Sequence, residues 1–174
     1  MPMLFKPLFL TLALLACFSG AARAATTGTG LTFSGNLVAG CEYSVSTVGG
    51  MIDFSGWRPS DFSGIGSVLT SRAQLIPVTV RCPGSSYMRV TTVGTADSND
   101  PQALVNQGTA MGLGMIIYDA TTNFMFTPND PIGETLLVPS SGTFDVYVAL
   151  KQTATTVTRG SFSSDGTVIV IAVP

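Results

Sequence analysis

Apolar and polar residues alternate with a period of two along most of the chain, which favours β-strands and disfavours helices over nearly its whole length. The clearest strand is predicted at residues 144–150. One of its faces carries Phe144, Val146, Val148 and Leu150, and the other carries Asp145, Tyr147 and Ala149, followed by Lys151. We expect the first face to lie in a core and the second face to be mostly solvated.

Short strands of this kind recur between clusters of Gly, Pro, Asn and Asp, the residues that form turns. Pro77 implies that its strand starts there or lies at a sheet edge, because proline cannot donate to a strand ladder. Trp57 falls in a Gly/Pro/Ser-rich stretch, residues 55–66, that predicts a loop. Further strands are predicted at residues 42–48, 51–54, 75–82, 88–93, 112–118 and 167–173. Many short strands with such spacing favour an all-β sandwich of immunoglobulin-like type.

The first 24 residues have the three-part layout of a secretory signal peptide. Lys6 supplies the positive charge, residues 8–18 form an apolar run too short to span a membrane, and a small-x-small cleavage site ends at Ala24. Residues 25–174 contain no second apolar segment that would serve as an anchor. An alternative interpretation is that Cys17 belongs to a lipoprotein box and is lipidated.

Charged side chains are sparse after the leader. Two of the eight basic residues lie in the leader, which leaves six against ten acidic ones. The six are scattered singly along the sequence. Binding to nucleic acid needs a basic patch that releases counterions from the phosphates. We therefore exclude nucleic acid as a partner.

Cys41 and Cys82 are the two cysteines that follow the leader, so a single pairing exists between them. A disulfide at these positions implies an oxidising compartment. Closing a loop of about forty residues would stabilise the fold by roughly 3–4 kcal/mol in the chain-entropy model. The alternative is two unrelated buried thiols.

The sequence offers little for catalysis or for cofactor binding. It contains no histidine, which removes the commonest general base and the commonest zinc ligand. It has no phosphate-binding loop, dinucleotide fingerprint or nucleophile elbow. Asp97, Asn99 and Asp100 are weak candidates for a calcium site, but the glycine and terminal glutamate of a calcium loop are missing. We predict no enzyme activity and no cofactor.

The segment ahead of Cys41 is the most informative part of the chain. Leu31, Phe33, Gly35 and Leu37 alternate with polar residues there. A glycine inside a strand weakens pairing, but it suits a place where another backbone or side chain approaches closely. The alternative is an ordinary first strand of the sandwich.

The last predicted strand, residues 167–173, is apolar on both faces. Left uncovered, such a strand would promote edge-to-edge aggregation. We expect either the rest of the domain or a partner that adds a strand to shield it.

The order of these features resembles type 1 fimbrial pilins of the chaperone–usher pathway, over essentially the whole of residues 25–174. The pilin-like stretches are residues 31–38, 77–82, 94–101 and 112–119 and the last thirty residues. The resemblance implies an incomplete immunoglobulin-like sandwich that is completed by donor-strand exchange, first with a periplasmic chaperone and then with the arm of the next subunit.

Carried over residue by residue, the resemblance implies a donor strand within residues 29–37. Its apolar contacts would be Leu31, Phe33 and Leu37, and Gly35 would be its small position. The acceptor groove and chaperone contact would be formed by Gly160, Val168, Val170, Ala172 and Val173. The chain departs from the pilin pattern at its penultimate position, where Val173 replaces the usual tyrosine. The implied divisions are a signal peptide (1–24), a donor-strand extension (25–40) and a pilin domain (41–174).

The resemblance implies a structural, minor fimbrial subunit that is exported through the periplasm to a cell-surface fimbrium. Its partners would be neighbouring subunits, a periplasmic chaperone and an outer-membrane usher. The alternative is a carbohydrate-binding fimbrial adhesin domain, which Trp57, Tyr87 and Tyr118 suggest as candidate exposed aromatic residues.

Overall fold

The structure, a computed structural model, describes residues 29–36, 42–45, 51–81, 87–131, 134–137 and 141–173. The predicted signal peptide lies outside the described residues, and so do Leu37, Cys41 and Cys82.

Strands make up most of the described residues. They are β1 Thr29–Asn36, β2 Glu42–Val45, β3 Met51–Ile52, β4 Gln74–Arg81, β5 Tyr87–Val93, β6 Leu104–Val105, β7 Leu113–Asp119, β8 Glu134–Leu137, β9 Ser141–Gln152 and β10 Asp165–Val173. Two single-turn 3₁₀ helices, Pro59–Asp61 and Thr70–Arg72, lie between β3 and β4. No helix among the described residues is long and apolar enough to cross a membrane.

The strands form two five-stranded sheets. The first has the order β3-β1-β10-β5-β8, and the second has the order β2-β4-β9-β7-β6. All neighbouring pairs are antiparallel except β1 and β10, which are parallel. The core contains residues from strands of both sheets and from the segments between them, among them Phe54, Ile76, Val90, Met115, Leu150 and Phe162. The predicted all-β sandwich of immunoglobulin-like type is confirmed.

Alternation along β4 and β9 explains how these two strands bury one face in the core. In β4, Ile76, Val78 and Val80 are buried and Thr79 is exposed.

Pro77 lies inside β4, not at its start. Among the described residues, the ladder between β2 and β4 ends at Val45 and Val78, one residue short of Pro77. This local edge is where a residue without an amide hydrogen fits.

The polar face of β9 is not mostly solvated, so that prediction was wrong. Ala149 and Lys151 on this face are buried. Ala149 belongs to a second apolar cluster with Ala103, Ile116 and Tyr118, against which Val68, Ala73, Met125 and Tyr147 pack. Loops therefore cover the outer face of this sheet, and the sheet is buried on both sides around β7 and β9.

The two ends of the sandwich matter for the argument below. We call the end where β9 finishes at Gln152 and β10 begins at Asp165 the upper end. The lower end is where β9 begins at Ser141 and β10 finishes at Val173. The segment between β3 and β4 crosses from one sheet to the other, and Trp57 in this segment is 3% exposed. The stretch is a loop, as predicted, but its tryptophan packs into the core.

Candidate functional site

The candidate site is the ladder between β1 and β10. β1 lies parallel to β10, in a register that pairs Gly30 with Asp165 and continues to Asn36 and Ile171. On its other side, β1 pairs with β3 through Thr29 and Gly30. The segment predicted as a donor strand is therefore a strand of its own chain's sheet, beside the strand predicted as the acceptor.

Leu31 anchors β1 in the core. Its side chain is 6% exposed and belongs to the main apolar cluster. Its register partner is Gly166. A methyl group at position 166 would lie 2.5 Å from Leu104 Cδ1 and 3.6 Å from Leu31 Cδ1. The absence of a side chain at Gly166 therefore leaves room for two leucines.

The small residue of β1 lies opposite a larger one. Gly35 is the register partner of Val170, and Phe33 is the register partner of Val168. Both valines are buried and belong to the main cluster. The ladder therefore places leucine beside glycine at Leu31 and Gly166, and glycine beside valine at Gly35 and Val170.

The remaining residues of the predicted acceptor groove lie in two places. Ala172 and Val173 lie in β10 and pair with Met88 and Tyr87 of β5. Gly160 lies ahead of β10, where its neighbour Ser161 bonds the backbone of the segment before β7. A methyl group on Gly160 would lie 2.4 Å from the Ala110 nitrogen, so a close approach of two backbones explains this glycine.

Cys41 and Cys82, the two residues of the predicted disulfide, lie outside the described residues. Glu42 and Arg81, which are next to the two cysteines in sequence, are register partners in β2 and β4. Directly opposed positions of adjacent strands have the separation that a disulfide needs. The pairing stays a prediction.

Lys151 forms a buried ion pair, and its predicted solvation was wrong. Its Nζ lies 2.7 Å from Asp100 Oδ2, and the two side chains are 8% and 15% exposed. Lys151 Nζ also lies 3.9 Å from Met125 Sδ. Since a buried ammonium needs a counter-ion, Asp100 fixes the loop that carries it over the outer face of the sheet.

The candidate calcium loop is organised by its own hydrogen bonds. Asp97 Oδ1 accepts a hydrogen bond from the Asn99 amide at 2.8 Å, and Asp100 Oδ1 accepts one from the Gln102 amide at 3.1 Å. No cluster of three metal-binding side chains occurs within the ranges that the structure describes. The side chains of this turn are thus engaged in local hydrogen bonds, and the Asp100 carboxylate also pairs with Lys151.

Two of the aromatic residues that suggest the adhesin alternative are less exposed than predicted. Trp57 is 3% exposed and Tyr118 is 9% exposed. Tyr118 stacks on Tyr147 with ring centroids 5.3 Å apart. The pKa of the Tyr118 hydroxyl is raised, mainly by burial and to a lesser extent by the nearby Tyr147. The prediction that Trp57 and Tyr118 present exposed rings was wrong, and the side chain of Tyr87 lies outside the description.

A solved structure of a pilus subunit has the same fold. The rod subunit PapA of the P pilus superposes with a TM-score of 0.58 at 17% identity, over 76% of this chain and 99% of that chain. An antigen and type I fimbria protein of Burkholderia pseudomallei matches with a TM-score of 0.49 at 22% identity, over 76% of this chain and 85% of that chain. No curated protein matches the chain significantly.

A family model described as "Fimbrial protein" matches residues 30–172. The match begins inside β1 and ends inside β10, so it includes both strands of the candidate site. The family implies a component of a surface pilus, whose partners are other pilus subunits. Because the model covers most of its length, the chain belongs to the Fimbrial protein family.

Proposed function

We propose that the chain is a structural fimbrial subunit, a minor component of the pilus, that polymerises by donor-strand complementation. The observation that carries the proposal is the position of β1. A strand from the amino-terminal part of the chain, β1, lies between β3 and the apolar strand β10, which is close to the carboxyl end.

β1 is separable from the rest of the sandwich. Between Leu31 and Asn36 it pairs with β10, and no other described strand pairs with this part of β1. Its withdrawal would leave β3 without its described strand partner and β10 paired with β5 alone. The other edge of β10 and the core beside Val168 would then be open. An open apolar edge of this kind is a template for a strand from another chain.

The connection between β1 and β2 limits how the arm can be shared. Five residues separate Asn36 from Glu42, so these two residues are at most about 20 Å apart when the connection is fully extended. β2 begins at the lower end of its own sandwich, beside the end of β4. When the arm lies in another chain, the lower end of the donor sandwich therefore stays within that distance of Asn36. The direction of the arm in the groove therefore decides where the donor subunit lies.

The two directions of insertion give different assemblies. If the arm keeps the parallel direction seen within the chain, the lower ends of donor and acceptor meet, which favours closed dimers by reciprocal exchange. If the arm runs antiparallel to β10, the lower end of the donor meets the upper end of the acceptor. Each subunit then offers one end to each neighbour, and the assembly grows head to tail.

The antiparallel direction also supplies a driving force. Antiparallel ladders are slightly more stable per residue than parallel ones. Within one chain, the short connection holds the arm in the parallel direction. An arm from a second chain is free of that constraint, so exchange between chains replaces a weaker ladder with a stronger one.

A subunit that exchanges strands needs protection before assembly. With β1 withdrawn, the apolar edge of β10 would aggregate unless another protein covered it. We therefore assign to this chain a periplasmic chaperone that occupies the edge and an outer-membrane usher that receives the subunit, as in the pathway that the sequence resembles. Export through the periplasm to the extracellular fimbrium agrees with the predicted leader and disulfide. The role is structural, without enzyme activity.

Two neighbouring residues of β1 provide the test. Leu31 is buried and Thr32 is exposed, so Leu31→Asp removes an anchor while Thr32→Asp leaves it in place. We expect residues 25–174 to form filaments visible by negative-stain electron microscopy, and we expect Thr32→Asp to do the same. We expect Leu31→Asp to form none, and a peptide spanning residues 27–38 to convert it into a soluble one-to-one complex. Equal filament formation by the two variants would count against the proposal.

A further inference from the structure

We infer that the upper end of the sandwich, around Ile65 and Met111, is a docking surface for the lower end of the next subunit. The inference rests on the proposed function and deepens it. It assigns a contact between subunits outside the exchanged strand, and it commits to one occupant, a second fimbrial subunit.

Ile65 and Met111 are the most exposed large apolar side chains of the described residues, at 66% and 67%. Both lie at the upper end, on opposite sides of the end of β9. The Gly66 amide donates to the Gln152 carbonyl at 2.8 Å, and the Thr153 amide donates to the Gly112 carbonyl at 2.9 Å. Val93, which is 41% exposed, ends β5 at the same end of the sandwich.

Hydrogen bonds hold the two loops that carry these side chains. Gln152 is buried, and its Oε1 accepts from the Gly64 amide at 3.0 Å while its Nε2 donates to the Ala154 carbonyl at 2.8 Å. The Met111 amide donates to Thr158 Oγ1 at 2.9 Å. A surface whose loops are already ordered loses little conformational entropy when a partner binds.

The connection between β1 and β2 identifies the occupant. In a head-to-tail filament, the arm of the donor ends at the upper end of the acceptor groove. The five residues after Asn36 then hold the lower end of the donor sandwich within about 20 Å of that point. A body so close to the upper end covers part of it, and exposed apolar side chains there gain from being buried.

The test measures oligomer formation and uptake of the arm peptide separately. Ile65→Asp and Met111→Asp are compared with Leu75→Asp and Phe124→Asp, changes of side chains that are 48% exposed. Leu75 pairs with Tyr147, five residues before the end of β9, and the Phe124 carbonyl accepts from the Asp119 amide, beside Val146 of β9. Oligomer formation by residues 25–174 is followed by size-exclusion chromatography. Uptake of a labelled peptide spanning residues 27–38 is followed in the same samples, and circular dichroism confirms that each variant is folded.

We expect each upper-end change to slow oligomer formation about fivefold, the effect of losing roughly 1 kcal/mol of contact, with peptide uptake unchanged. The Leu75 and Phe124 variants should assemble like the unmodified chain. If the upper-end variants assemble normally and take up peptide, the inference of a docking surface is overturned and the proposal of strand exchange is unaffected. Equal slowing by all four variants would also overturn it. If the unmodified chain neither takes up peptide nor assembles, the proposed function fails, and the docking surface fails with it.

Discussion

β9 and β10 each lie in the interior of a sheet, yet their surroundings differ. β9 is flanked by β4 and β7 and lies beneath loops that cover its outer face. β10 is flanked by β5 and by β1, and β1 belongs to an amino-terminal arm joined to β2 through five residues. The strands around β9 are parts of a closed fold, whereas we propose that one neighbour of β10, the strand β1, can be replaced.

Under the proposed strand exchange, this difference would let a single domain combine stability with a capacity for exchange. The sheet around β9 has a buried ion pair and a second apolar cluster on its outer face. The sheet around β10 depends for one edge on a segment with few other contacts. If β1 exchanges as proposed, stability and exchange reside in different sheets, and changes in the two sheets should have different consequences.

Deletion of residues 25–36 should have the largest effect, because it opens the edge of β10. Burial of one large apolar side chain contributes about 1.5–3 kcal/mol. Loss of Leu31 together with the whole β1 ladder should therefore remove most of the 5–15 kcal/mol that is typical of a domain. Urea denaturation measures the loss, and a peptide spanning residues 27–38 should restore the transition. An arm-deleted chain as stable as the full chain would show that β1 is dispensable.

Disruption of the ion pair should destabilise the sheet around β9 without changing strand exchange. Lys151→Ala leaves Asp100 as a largely buried carboxylate without its counter-ion, so we expect a loss of about 3–5 kcal/mol in the free energy of unfolding. The double change Lys151→Met with Asp100→Leu should recover much of it. Peptide uptake by the folded fraction should match that of the unmodified chain. Faster uptake would show that the two sheets are coupled.

Truncation of the anchor in β1 should have a smaller effect on stability, but it should alter exchange. Leu31→Ala removes a side chain that is 6% exposed, and we expect it to cost about 2–4 kcal/mol. Because it weakens the arm within its own chain, it should also speed the uptake of an unmodified arm peptide. Thr32→Ala is the control and should change neither quantity measurably. Slower uptake by Leu31→Ala would contradict the assignment of Leu31 as an anchor.

The smallest effect concerns pH. Burial raises the pKa of Tyr118 in the folded state above its value in the unfolded state, which is about 10. The contribution of Tyr118 to stability is therefore complete below the unfolded pKa and is lost as the pH rises through the folded pKa. Stability should therefore decline above about pH 10, and Tyr118→Phe should reduce that decline. Urea denaturation at pH 8 and pH 10.5 measures it. If stability declines equally in the Tyr118→Phe variant, groups other than Tyr118 cause the decline.

The sequence predicted the strands well because period-two alternation is a local signal. β4, β5, β7, β9 and β10 lie where the pattern placed them, with ends shifted by a few residues. β6 and β8 were not predicted, since segments of two and four residues are too short to show a period. The strand at β1 was predicted as well, but alternation does not specify which chain supplies its partner.

The failed predictions concern contacts between distant parts of the chain. Lys151 was expected in solvent because its strand face is polar, and its counter-ion Asp100 comes from a loop that pattern analysis treats separately. Trp57 lies in a loop of turn-forming residues, yet its ring packs against Phe62 and into the core. Composition identifies such a segment as irregular and does not show that it covers a core.

The most direct test of an exchangeable strand is to prevent the exchange. Thr32 and Thr167 are register partners in β1 and β10, and neighbouring strands are about 5 Å apart, which a disulfide can bridge. A chain that carries Thr32→Cys and Thr167→Cys should stay monomeric and take up no arm peptide once oxidised. It should assemble like the unmodified chain after mild reduction, and Thr32→Cys alone should assemble throughout. Assembly of the oxidised double variant at the normal rate would contradict the account.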